Sequence, residues 1–307
     1  MKSNEKFDEL AENLAGALIQ AIEDNPGEWS KSWTGGGIAA YPHNVTTGKA
    51  YTGGNVFMLW LTASAAGYGS GQWATYKQYE AAGHQVRKGE KGTRLMRWNV
   101  IYTCDAMKKS HSNPCGPQCR KRMIRTTFTV FNSAQVDGDV ADAPGFSTEV
   151  GAPLPGAEEV RAFFGSVGAR WTEEAQDRAY YSPGEDRIVT PTAEQFDTVG
   201  GFAATVAHEF THWTGSADRL GREQSGGFGS ESYALEELVA ELGAVVLCNA
   251  LGLEHQPLET HAAYLKNWLQ ALKSEEGPKL LWKVAGQASK AASYITEAAE
   301  ARQTVAA

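Results

Sequence analysis

The run Val206-Ala207-His208-Glu209-Phe210-Thr211-His212-Trp213 holds the residues best suited to chemistry. His208 and His212 stand four positions apart, so on a helix their rings lie one above the other on one face. Two neutral imidazoles placed this way grip a single zinc ion from the same side. Glu209 projects beside them and is placed to take a proton from a water that the metal activates. The residues before the pair, Phe202 to Ala207, are mostly apolar and fit a buried helix. Two imidazoles and a carboxyl are costly in such a helix without a partner. That favours a metal-bearing helix over one that turns three polar residues to water.

A zinc site needs a third protein ligand, and two segments offer one. Asp218 completes H-E-x-x-H-x-x-G-x-x-D, with Gly215 at the turn. This resembles the metzincin spacing with Asp in place of its final His. The other segment runs from Ser232 to Glu241, where Leu235, Leu238, Val239 and Leu242 form an apolar helical stripe. The Gly- and Ser-rich stretch 221–230 supplies the loop for an antiparallel return. Glu237 and Glu241 then share a face, one as ligand and the other orienting a ligand imidazole. This second arrangement resembles that of the gluzincins and is preferred, with Glu236 expected as a solvated neighbour. Zinc polarises a carbonyl, Glu209 serves as general base, and hydrolysis of a peptide bond is the default reaction. Upstream, Ala179 to Val189 reads as two strands around Pro183-Gly184, and Pro191 is expected to mark an edge strand. Such an edge beside a cleft accepts a peptide as an added strand, or serves as plain scaffold.

These residues need elements to hold them. A chain of 307 residues, 42% hydrophobic, suits two folded domains. Phe7, Leu10, Leu14, Leu18, Ile19 and Ile22 predict a helix over 7–23. A second helix is expected from Gly54-Asn55 through Leu61, and a third over Trp73 to Ala82. Val86 to Val100 reads as strand, tight turn and strand around Gly89 and Gly92, and Phe128 to Phe131 as a further strand. Asp137 to Pro155 is rich in Gly, Ala, Pro and Asp. The partition expected is 1–140 for the first domain, 141–155 for a linker and 156–307 for the second. Helices are expected over Ala157 to Val167, Thr260 to Lys273 and Pro278 to Gln303.

The formal net charge of −8 hides a division. Residues 31–125 carry 14 basic and 3 acidic groups, a net +11, whereas 126–307 carry 12 and 26, a net −14. The positive stretch is a candidate footprint for a polyanion. Within it Lys77, Arg87, Lys88, Lys91, Arg94 and Arg97 cluster with Trp73, Tyr76, Tyr79 and Trp98, and Lys49 and Tyr51 lie upstream. Cations that track phosphates and rings that stack on unpaired bases suit single-stranded DNA. No recognition helix or zinc-finger spacing argues for a duplex reader. Trp60 and Trp73 are expected in the core. No apolar run is long enough to span a bilayer, and the polar N-terminus lacks a signal-peptide core, so the expected location is the cytoplasm. Four cysteines suggest no disulfide framework, and Cys248, in an apolar run, is expected to be a buried thiol.

Several motifs in order resemble those of ArdC-type antirestriction proteins. They are Tyr51-Thr52-Gly53-Gly54-Asn55 with Leu59-Trp60, Trp73 to Gln78, Val86 to Gly92, Val130-Phe131-Asn132, His208 to Gly215 with Arg219-Leu220, and Ala263-Tyr264-Leu265 with Trp268-Leu269 and Leu272. The resemblance reaches from about Phe7 to about Tyr294. It implies an α+β chain of two domains. The N-terminal one would be a mixed α/β domain that binds single-stranded DNA. The C-terminal one would be mainly helical and zincin-like, with a small edge sheet. It also implies a protein of plasmids or phages that shields incoming DNA from restriction. Carried over, His208, His212 and Glu237 are the zinc ligands and Glu209 the base, acting on an unidentified protein substrate. The alternative is a strand-binding protection factor whose peptidase domain is vestigial. One departure stands out, Cys104-x6-His111-x3-Cys115-x3-Cys119 in a Lys/Arg-rich insert. These four ligands offer a second, structural zinc site, or else a flexible basic loop.

Overall fold

Helix α1 (Lys2–Asp24) buries Phe7, Leu10, Leu14, Leu18 and Ile22, which recur at helical spacing along one face. The structure, a computed structural model, describes residues 2–24, 41–104, 109–113, 116–117, 119–140, 156–224, 230–253, 269–270 and 272–306. The linker expected over 141–155 and most of the helix expected over Thr260 to Lys273 lie outside the described residues.

The first half is built on a five-stranded sheet. Its strands are β1 (His43–Asn44), β2 (Gln72–Ala74), β3 (Thr93–Cys104), β4 (Lys109–His111) and β5 (Arg120–Asn132), in the order β1-β2-β5-β3-β4. Helix α2 (Gly54–Ala66) buries Val56, Phe57, Leu59 and Trp60. Helix α3 (Tyr76–Ala81) is short. Two expectations are corrected here. The segment Trp73 to Ala82 is not one helix. Trp73 and Ala74 belong to β2, and Thr75 caps α3 in a reciprocal box with Gln78 that fixes the start of the helix. Nor is 86–100 a local hairpin. Val86 bridges Val136, Arg87 anchors on the Ala134 and Val136 carbonyls, and β3 pairs instead with the distant β5 over Thr93↔Val130 to Thr103↔Arg120.

The second half runs α4 (Ala157–Val167), β6 (Arg170–Glu174), β7 (Tyr180–Ser182), β8 (Arg187–Pro191), α5 (Val199–Thr214), α6 (Glu231–Ala250) and α7 (Gly277–Ala306). The strand order β6-β8-β7 puts β8 in the centre, so Pro191 does not mark an edge strand. It is the last residue of β8, opposite the last residue of β6, where the ladder ends and a missing N–H costs little. The edge strands are β6 and β7.

Helix α7 joins the two halves. It packs on α4, α5 and α6, and also on α1 and α2. The main apolar core is accordingly a continuous cluster from Phe7 to Ala299, with a small separate one of Val45, Ala74, Tyr79, Val86 and Val136 in the first half. The Tyr51-to-Asn55 motif is the seam. The Gly53 N–H donates to Ser289 Oγ at 2.9 Å, and a Cβ on Gly54 would sit 2.8 Å from the Trp282 ring. Asn55 brackets Met96 of β3, donating to its carbonyl at 2.7 Å and accepting from its N–H at 3.0 Å. No helix among the described residues is long and apolar enough to cross a membrane.

Candidate functional site

Helix α5 starts where Thr198 Oγ1 accepts from the Gly201 N–H at 3.0 Å. Its apolar face packs on β8 and α4, with Phe210 beside Phe164 of α4 and the Trp171 ring of β6. That packing turns His208, Glu209 and His212 toward α6. The two helices meet closely at one point, where a Cβ on Gly243 would lie 2.6 Å from Thr211 Cγ2. Glycine at that crossing lets the α6 carboxylates reach the α5 imidazoles.

The Nε2 atoms of His208 and His212 lie 3.1 Å apart. The Glu237 carboxylate is 3.6 Å from the first and 3.5 Å from the second. One ligand atom from each of the three residues falls within 4.8 Å of the others, and no other such group occurs among the described residues. Ligands at roughly 2.0–2.2 Å from a tetrahedral zinc stand about 3.3–3.6 Å from one another, so this donor set fits the ion in both chemistry and spacing. Asp218 is exposed on the turn after α5 and is not a member of the group.

Each imidazole is held from behind. Glu241, fully buried, puts Oε2 3.6 Å from His208 Nδ1. Glu236 Oε1 lies 3.2 Å from His212 Nδ1. Glu236 is therefore not a solvated neighbour. It is buried, and Arg222 clamps it through Nε at 3.0 Å and Nη2 at 2.8 Å, with Gln224 adding a bond at 3.2 Å. Arg222 also donates to Thr211 O and Thr214 Oγ1, so the strap 215–224 is tied to the end of α5. Burial works to lower the His208 imidazole, but the Glu237 and Glu241 carboxylates outweigh it and hold the group up at about 10. Burial likewise opposes Glu237, yet the two histidines pull its carboxyl down to about 2.

Glu209 is buried beside this cluster, and burial pushes its carboxyl up against the pull of both histidines. The backbone of Tyr181, on the edge strand β7, faces it and also works to lower it. Arg219 fixes that strand to the helix. It donates to Trp213 O at 2.6 Å and to Tyr181 Oη at 3.0 Å, stacks over the Trp213 ring at 4.1 Å, and pairs with Asp186. A basic carboxylate, a trio of ligands and an open strand edge thus share one cleft. Arg222, Gln224 and the orienting role of Glu236 escape a reading of the sequence, because they act across loops of no fixed spacing.

The expected strand-binding residues are not gathered in this way. Lys49, Tyr76, Lys77, Lys88, Lys91, Arg94 and Arg97 are exposed. Tyr51 is not available as a stacking ring. It is buried, its hydroxyl accepts from Asn44 at 3.3 Å, and burial pushes that hydroxyl up to about 12. Tyr79 and Trp73 are buried as well. Arg87 is bound to Glu90 and to two carbonyls, and Arg94 pairs with Glu9 at 2.6 Å. Of the soft-ligand set, Cys104 is buried and Cys119 half-buried, neither in a disulfide, while Cys115 and the His111 side chain lie outside the described residues. Cys248 is a buried thiol, as its apolar run predicts.

Comparison with known proteins adds to this geometry. Residues 158–285 match the zincin-like metallopeptidase family, and residues 8–131 match the N-terminal domain of the anti-restriction factor ArdC. A DNA primase TraC of Escherichia coli is 36% identical over 304 residues, which cover 96% of this chain and 20% of the primase. The protein y4eC of Sinorhizobium fredii is 33% identical over 291 residues, covering 94% of this chain and 91% of that protein. The chain thus spans about a fifth of the primase and nearly all of y4eC. The metal-free crystal structure of the antirestriction ArdC protein from the R388 plasmid superposes with a TM-score of 0.73 at 35% identity, covering 95% of this chain and 98% of that one. Its Mn(II)-bound structure gives 0.71 at 36%, covering 94% and 97%.

Proposed function

The chain belongs to the ArdC antirestriction family, and we propose that it binds single-stranded DNA of a mobile element through residues 1–140 and hydrolyses a protein through a zinc site in residues 156–307. The compartment proposed is the cytoplasm, where incoming DNA meets restriction enzymes. The observation that carries the reading is the convergence of His208, His212 and Glu237 beside the buried Glu209. The Mn(II)-bound structure of the relative supports a divalent ion for this chain as well.

In this reading His208, His212 and Glu237 hold the zinc in a gluzincin arrangement. Bound zinc supplies Lewis acidity, polarising a carbonyl and bringing the pKa of water towards about 7. Glu236 and Glu241 fix the two imidazoles, so the ligands need no reorganisation. Glu209, made more basic by burial, accepts the proton from the attacking water and passes it to the leaving amine. The open edge of β7, whose Tyr181 backbone faces Glu209, takes the substrate peptide as an added strand. A second, structural zinc is proposed at Cys104, His111, Cys115 and Cys119. Its support is their spacing and the register that brings the end of β3 beside the start of β5, next to Cys119.

Glu209→Gln tests the peptidase role. The variant is expected to keep its metal and its affinity for single strands, and to lose cleavage by roughly 10²-fold or more together with protection in a conjugation assay. Protection that survives the change would favour a strand-binding factor with a vestigial peptidase domain. Metal analysis of the same preparations reads one zinc per chain, or two with the cysteine site filled.

A further inference from the structure

Strands β3 and β5 run together well beyond the body of the first half. Their inner part is packed, with Leu95, Met96 and Val130 buried. From Trp98 outward the ribbon carries large apolar side chains in the open, with Trp98 55% exposed, Val100 37% and Met123 61%. The register sets Trp98 opposite Arg125, Val100 opposite Met123 and Tyr102 opposite Lys121. Directly opposed residues share a face of an antiparallel pair, so these six emerge together. Three neighbouring exposed apolar groups on one face mark an interaction surface.

The charge of the ribbon selects its partner. Between residues 93 and 132 the sequence has eight lysines and arginines and one acid, Asp105. Lys121 lies on the apolar face, and Arg97, Arg120 and Arg122 alternate onto the opposite one. Arg125 lies 5.6 Å from the Trp98 ring and 4.3 Å from the buried Phe7 ring, so the indole is braced from the protein side and its remaining surface faces outward. A flat ring, a thioether and a surrounding positive field suit a polyanion that also offers π-faces. A duplex hides those faces, and an acidic protein segment lacks them.

We propose that the outer β3–β5 ribbon is a base-stacking platform for single-stranded nucleic acid, with one base on Trp98 and the next against Val100 and Met123. Lys121, on the same face, holds a phosphate, and the arginines of the far face add to the positive field that draws the strand in. This deepens the strand-binding reading and rests on it. It also moves the stacking role away from Tyr51 and Tyr79, which are buried, to the exposed Trp98 of the basic cluster and to Met123 opposite it.

Fluorescence anisotropy with a labelled oligothymidylate and a duplex of the same length, over a salt series, tests the assignment. Trp98→Ala and Met123→Ala are solvent-facing changes, and their folding is checked by retained metal content. Trp98→Ala is expected to weaken single-strand binding roughly tenfold or more with its salt slope unchanged, because no phosphate contact is lost. Trp98→Phe is expected to recover most of the loss. Lys121→Ala is expected to make the slope shallower. Unaltered affinity in both Trp98→Ala and Met123→Ala, with the parent protein still binding strands, overturns the platform and leaves the strand-binding reading standing. A parent protein that binds no single strand overturns both. Equal loss against polyglutamate and oligothymidylate would mean a surface that reads charge alone, and would also overturn the platform.

Discussion

The metal centre and the β3–β5 ribbon treat polar chemistry in opposite ways. In the centre, imidazoles and carboxylates sit in a largely buried seam between α5 and α6, where an unpaired charge is expensive. Each is consequently held by a second group, His212 by Glu236, Glu236 by Arg222, and His208 by Glu241. On the ribbon, Trp98, Val100, Met123, Arg97 and Lys121 face water, and the contacts that brace them, Arg125 on Trp98 and Arg97 on Phe128, are ring contacts and not a buried network. A site that grips a small ion must fix its geometry before the ligand arrives. A site that follows a flexible polymer can leave its geometry to the ligand. Substitutions should therefore act steeply in the first region and in small increments in the second.

The sharpest break is expected at the helix crossing. Gly243→Val forces a side chain into Thr211, where even a Cβ would lie 2.6 Å from Cγ2. Overpacking of this kind costs about 1–3 kcal/mol of stability. It also moves Glu237 and Glu241 away from the imidazoles. Metal affinity, read by competition with a chromogenic chelator, is expected to fall by more than the roughly 10–100-fold that loss of one orienting partner costs. Unchanged affinity would show that the close approach of α5 and α6 has no bearing on the ligands.

Behind that comes the support of His212. Glu236→Gln keeps a hydrogen-bond acceptor for the ring and removes the charge that answers Arg222. Glu236→Ala removes both and leaves the Arg222 guanidinium, whose side chain is 3% exposed, without its carboxylate. A weakening of metal binding within about 10–100-fold is expected for Gln, and a further fall for Ala with a lower unfolding midpoint. Parent-like metal binding in both variants would reduce Glu236 to a structural ion pair.

The same contrast decides what could be read from residues alone. The H-E-x-x-H spacing and the Glu237–Glu241 interval encode positions on helices, and helix geometry is local, so the residues that meet in the seam were legible. Helix α4 was legible over Ala157–Val167 for the same reason. The pairing of β3 with β5 was not, because its partners lie up to 37 positions apart and the glycines at 89 and 92 offered a nearer turn. The Tyr51-to-Asn55 motif was visible as a pattern, but its work, seating Trp282 and Ser289 of α7, depends on an element more than 200 residues away. Charge clustering identified the basic half without a site, since it records neither that Tyr51 is buried nor that Arg87 spends its donors on carbonyls.

The smallest effect should come from a single exposed cation such as Lys88. It stands exposed on the turn between Val86 and β3, and its charge adds to a field that many residues share. Lys88→Ala is expected to change single-strand affinity by less than about threefold near physiological salt. The slope of log affinity against log salt should drop by no more than about 0.7, the release accompanying one phosphate contact on a single strand. Combined with Lys77→Ala and Lys91→Ala, the losses should add, because exposed charges screened by salt couple weakly to one another. A Lys88→Ala loss as large as that of Trp98→Ala would place a fixed contact at the loop. The basic half would then hold a built site like the metal centre, and the contrast between the two regions would fail.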